Sequence, residues 1–89
     1  MEKIIVRSTP RMADREGALD HRIVLREFRW EGELPHEWVV HTLYHTENGK
    51  HYFDSGDYYS DKKSALEGFR ERAIINLKNC MWEIEAGRI

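Results

Sequence analysis

Asn48-Gly49 stands between two aromatic-rich runs, 36–46 (HEWVVHTLYHT) and 51–59 (HYFDSGDYY), and no other feature constrains the fold as much. Asn-Gly in that setting predicts a β-hairpin closed by a type I′ turn, because both central residues of such a turn need φ > 0. With a two-residue turn, positions summing to 97 face each other. Tyr44 then opposes Phe53, Trp38 opposes Tyr59 and Thr42 opposes Ser55, and this face of aromatic pairs is assigned to the core. The reverse face carries Val39, His41, Leu43 and His45, with Tyr52, Asp54, Gly56 and Tyr58. A slip of one residue exchanges the two faces.

The flanking segments complete an α+β chain. Residues 2–7 (EKIIVR) are β-branched and read as a first strand. Residues 8–20 have no apolar period and read as a loop long enough to be mobile. Residues 21–30 (HRIVLREFRW) read as a second strand, with Val24, Phe28 and Trp30 on one face and Ile23 and Leu25 on the other. Gly32 and Pro35 in EGELP make the connection to the hairpin.

After the hairpin, Ser60 suits an N-cap and Asp61 suits the positive end of a helix. Leu66, Phe69, Ala73, Leu77, Cys80 and Ile84 then recur at helical spacing, with Gly87 placed as the stop. The rival reading ends the helix near Asn79 and makes MWEIE (81–85) a strand. The expected fold is one α+β domain over 1–89: an antiparallel meander of about four strands, with one long C-terminal helix on one face. That arrangement leaves the other sheet face to meet solvent or a partner.

With 89 residues and 40% apolar content, the chain can supply one core. No apolar run approaches the ~20 residues of a membrane span, and the N-terminus has no signal-peptide core. Cys80 is the only cysteine, which excludes an internal disulfide and fits a reducing cytoplasm. A net charge of −2 argues against general nucleic-acid binding. The hairpin is locally acidic, with Lys50 against Glu37, Glu47, Asp54 and Asp57. It also holds four of the five histidines, His36, His41, His45 and His51, so its charge rises as pH falls from 7 to 5.

The histidines invite a metal reading that strand geometry opposes. His41 and His45 lie about 13 Å apart on an extended chain at ~3.3 Å per residue, far beyond a shared zinc ion, and His51 points to the opposite face. No P-loop, G-x-G-x-x-G, C-x-x-C or H-E-x-x-H is present. Ser55 and Thr42 are separated by facing from His41 and His45, and Cys80 falls on the apolar helix stripe. The expectation is a protein with no catalytic site, metal or cofactor. The alternative to protein binding is single-stranded nucleic acid held by Arg22, Arg26 and Arg29 with Tyr52 and Tyr58. Against it, Glu27, Glu31 and Glu33 neutralise those arginines.

The segment GDYYSDKKSALEGF resembles the strand-to-helix junction of several small sheet-plus-helix domains, the WGR type among them. The chain has no Trp-Gly-Arg signature, and no function is carried over from the resemblance. Small, motif-free chains rich in Trp, Tyr and His are typical of accessory or inhibitor-type proteins of bacteria and phages. The expected function is therefore a non-catalytic binding module whose partner is another protein or a second copy of itself. Its expected contacts are Trp30, His41, His45, Tyr52 and Tyr58, since aromatic residues anchor interfaces.

Overall fold

The computed structural model describes residues 1–13, 20–32, 36–46, 48–54 and 56–87. Its elements are β1 (Glu2–Ser8), β2 (Asp20–Arg29), β3 (Glu37–His45), β4 (His51–Phe53), β5 (Asp57–Tyr59) and α1 (Lys62–Glu85). The sheet is antiparallel in the order β1-β2-β3-β4, with β5 following β4 along the same side of β3. The α+β meander with one long C-terminal helix is thus present.

β2 and β3 form the centre, paired without interruption from Asp20↔His45 to Phe28↔Glu37. On β2, Ile23 and Leu25 face α1 while Val24 and Phe28 face away, as alternation requires. β1 is an edge strand whose register shifts between Ile5 and Arg7, and Val6 packs against the helix-side core. That bulge, with Lys3 and Arg7 nearby, blunts the edge against pairing with another strand. The described part of the expected 8–20 loop is bound to β2. Met12 N–H donates to the His21 carbonyl at 2.7 Å, and the return bond is 2.8 Å. Met12 is consequently buried in the core. Residues 14–19, the rest of that loop, lie outside the described residues.

The turn differs from expectation. Thr46 N–H donates to the Lys50 carbonyl at 2.8 Å, so three residues separate the closing pair instead of two. Gly49 has φ 77°, whereas no described non-glycine residue has positive φ, which rules out a type I′ turn at Asn48. A three-residue loop closed by a left-handed glycine is the next commonest hairpin solution. Its consequence is a one-residue slip: Leu43 faces Phe53, Tyr44 faces Tyr52 and His45 faces His51.

The register then recovers. Trp38 faces Tyr59 as expected, because one extra residue between Phe53 and Asp57 restores the original count. The expected second strand is split into β4 and β5 by this irregularity. Phe53 therefore leaves the helix side and Tyr52 joins it. His51 shares a face with His45, contrary to expectation. Ser55 lies outside the described residues; Thr42 instead accepts from Asp54 N–H at 2.9 Å through its carbonyl.

The N-cap of α1 is Asp61, not Ser60: its carboxylate accepts from Ser64 N–H at 2.8 Å. The helix continues through MWEIE, so the rival strand does not form, and Gly87 N–H closes it on the Ile84 carbonyl at 3.0 Å. Ala65, Leu66 and Phe69 pack against Met12, Ile23, Leu25 and Val40, joined by Trp38 and Tyr59. Further along, Arg72 Nη1 donates to the Val40 carbonyl at 3.1 Å and Nη2 to Thr42 Oγ1 at 2.9 Å. Asn76 Oδ1 accepts from His21 Nε2 at 3.0 Å. The last tie is the Cys80 thiol, which donates to the Ala13 carbonyl at 2.9 Å.

The second sheet face is not left open, and this corrects the expectation. Val24, Phe28, Val39, His41 and Leu43 are all buried there. The Arg26 guanidinium lies over them, 5.0 Å from the Phe28 ring centroid and 4.0 Å from that of Phe53, while Lys3 Nζ covers Phe28 from 5.1 Å. The slip at the turn is what delivers Phe53 to this side. A small second core results, roofed by cation–aromatic contacts instead of a helix.

Candidate functional site

The five residues expected to bind a partner do not form one surface. His41 is buried on the second face, where its Nδ1 donates to the Asp54 carbonyl at 3.0 Å and its ring lies 5.2 Å from Phe53. That bond leaves Nε2 as the acceptor nitrogen of a neutral ring, and it has no hydrogen-bond partner among the described residues. Burial, more than any other effect, pushes the His41 imidazole below its ordinary value. The nearby Arg26, Arg72 and Lys3 push the same way, against the bond to the Asp54 carbonyl.

His45 is also held below its ordinary value, first by desolvation and then by Arg11, Arg22 and His51. Its Nε2 accepts from Arg22 Nε at 3.0 Å. Tyr58 is 63% exposed on the second face, edge-on to Phe28. Tyr52, 48% exposed, stands on the opposite face and stacks on Tyr44 at 5.2 Å. Trp30 lies just past the end of β2 and is partly exposed. One aromatic is thus presented on each face, and the histidines serve the fold. Of the arginines proposed for nucleic acid, Arg22 and Arg26 share the second face with Tyr58, while Arg29 pairs with Glu27 at 3.2 Å.

Among the described residues, exposed large apolar side chains concentrate on the second half of α1. Ile74, Ile75, Leu77, Met81, Trp82 and Ile84 are all exposed, from 46% at Leu77 to 68% at Trp82. Two of these, Leu77 and Ile84, belong to the stripe expected to face the sheet. The reason is length. Twenty-four residues make a helix about 36 Å long, whereas strands lie only ~4.8 Å apart, so the β5–β3–β2 path ends under Asn76 and the Cys80 thiol is the last hydrogen-bonded tie among the described residues. Beyond Cys80 no hydrogen bond or ion pair to another element is found among the described residues.

The apolar side chains of this half lie on two flanks. Ile74, Leu77, Met81 and Ile84, at spacings of 3, 4 and 3, fall along one. Ile75 and Trp82, seven residues apart, fall along the other. The solvent-facing line between them carries Glu71, Lys78 and Glu85. Sequence reasoning placed Leu77 and Ile84 on the stripe towards the sheet but could not see where the sheet beneath them ends. The usable signal was their number: a helix apolar on several sides is a helix with something on several sides.

Features of other chemistries are sparse. A shallow depression of about 290 Å³ is lined by Glu37, Tyr58, Tyr59 and Ser60, without a histidine, cysteine or lysine. Among the described residues no three His, Cys, Asp or Glu side chains gather as a metal site would require. No helix among them is long and apolar enough to cross a membrane. Comparison with known proteins finds no family model, no curated protein and no solved structure that matches this chain.

Proposed function

We propose that this protein is a non-catalytic protein-binding module and that its docking surface is the apolar second half of α1. One observation carries the reading: six large apolar side chains, each 46–68% exposed, stand on the second half of α1, where the ties to the sheet thin out. Clustered exposed apolar side chains of this kind are a mark of interaction sites. Met and Trp, at positions 81 and 82, are among the residues favoured at interfaces. The five residues expected from the sequence contribute less, because His41 is buried and Tyr52 and Tyr58 point in opposite directions.

The test is substitution read by stability. Leu77→Lys/Met81→Lys/Trp82→Glu breaks the surface at three of its six positions and alters none of the buried core residues. At low micromolar concentration its thermal midpoint should stay within about 3 °C of the unsubstituted protein, as exposed positions allow. A fall of 10 °C or more would mean that these side chains complete a core, and the docking reading would be wrong.

Nucleic acid is the second reading, supported by Arg22, Arg26 and Tyr58 sharing a face. The Arg26 guanidinium is already stacked on two phenylalanines, which weighs against its use for phosphate. Titration with a fluorescent oligothymidylate in low salt separates the readings, since nucleic-acid binding would weaken on Arg22→Glu and steeply with added salt.

A further inference from the structure

We infer that the occupant of the Ile74–Leu77–Met81–Ile84 flank is the same flank of a second copy, the two helices running antiparallel about a twofold axis near residue 79. This deepens the proposed docking reading and rests on it. The spacing 3, 4, 3 is a palindrome. In an antiparallel pair with positions summing to 158, Ile74 meets Ile84 and Leu77 meets Met81, so every seam residue finds an apolar counterpart. A twofold contact requires such self-complementarity, and alternating three and four is the spacing of knobs-into-holes pairing.

The placement of the sheet selects the antiparallel order. The body of the fold rides under α1 as far as the Cys80–Ala13 bond. With positions summing to 158, the second copy's Cys80 falls opposite residue 78 of the first helix, so the two bodies abut end to end at the axis. Parallel helices 8–10 Å apart would instead force two bodies of 51 × 30 × 17 Å to share one end.

The area bounds the strength. The four seam residues expose roughly 400 Å² per copy, about half the ~800 Å² of a standard interface, so the pair is weak and forms only at high protein concentration. Lys78 lies beside the axis near its own counterpart, and Glu71 nears Glu85 across it. These like charges weaken the pair and are screened by salt, so self-association tightens as salt rises.

Sedimentation equilibrium from ~1 µM to ~1 mM tests the inference on the whole chain. The expected mass climbs from 10.6 kDa towards twice that value, more steeply in 0.5 M salt. Leu77→Lys should weaken association on the order of a hundredfold, because it buries an unpaired ammonium in the seam. In a Cys80→Ser background, Leu77→Cys mixed with Met81→Cys should cross-link on oxidation while neither variant cross-links alone. Cross-linking of Leu77→Cys with itself overturns the antiparallel order. A monomer at 1 mM overturns self-pairing altogether. The docking reading fails separately, through loss of stability in the substituted monomer.

Discussion

Leu43 faces Phe53 across β3 and β4, one residue away from the pairing that a two-residue Asn-Gly turn imposes. Trp38 nevertheless faces Tyr59 in that pairing, because the return strand carries one extra residue beside Gly56. The displacement is therefore local, and it sends Phe53 to the second face to stack on Arg26.

The two glycines of this hairpin should respond differently to a methyl group. At Gly49 the backbone is left-handed but the space is open, so Gly49→Ala costs about 1 kcal/mol of strain. At Gly56 a Cβ would stand 2.5 Å from Val39 Cγ1 and 2.9 Å from the Val40 carbonyl oxygen. Gly56→Ala should cost more, about 2–3 kcal/mol, since a central strand must move. Urea denaturation orders the two; a larger loss at Gly49 would contradict the bulge assignment.

Acid should destabilise the fold through His41. Its folded pKa is depressed, so the unfolded chain binds a proton first as pH falls below the ordinary value near 6.5. The stability it contributes is complete above that pH and is lost towards its folded pKa. His45 acts in the same direction. Thermal midpoints should fall between pH 7.5 and 5, and His41→Gln should flatten the slope. A midpoint independent of pH across that range would remove buried neutral His41 from the account.

Arg72 joins α1 to β3 with two hydrogen bonds and stands 3.9 Å from the Asp57 carboxylate. Arg72→Met keeps the stem and deletes the donors. The expected loss is about 2 kcal/mol, typical of hydrogen bonds from a charged group. Chemical denaturation measures it, and a change under ~0.5 kcal/mol would show the bridge to be incidental.

Much of this was legible in the sequence. Alternation placed Ile23 and Leu25 against Val24 and Phe28, whereas the Trp38–Tyr59 pair matched the two-residue count only because the extra residue before Asp57 cancels the longer turn. Helical spacing carried α1 to Gly87. The loop length was not legible, because Asn-Gly serves both two- and three-residue hairpins and only the φ of Asn48 distinguishes them. Asp61 displaced Ser60 as cap because either oxygen can reach the first free N–H groups. The exposed apolar half of α1 was not legible for two reasons. Arg26, Phe53 and Lys3 roof the second face through non-local contacts, and Leu77 and Ile84 follow the core period after the sheet has run out. A period records what a helix could bury, and only the tertiary structure says against what.

Amide hydrogen exchange of α1 measures the central claim at the surface itself. Among the described residues no hydrogen bond ties α1 to the sheet beyond Cys80, so in dilute solution 77–86 should exchange faster than 62–73. Raising the protein from ~5 µM to ~500 µM should slow exchange in 77–86 at least severalfold and leave 62–73 unchanged, and Leu77→Lys should abolish the slowing. Equal and strong protection of 77–86 at both concentrations would mean that the chain covers this helix itself, and would contradict the account.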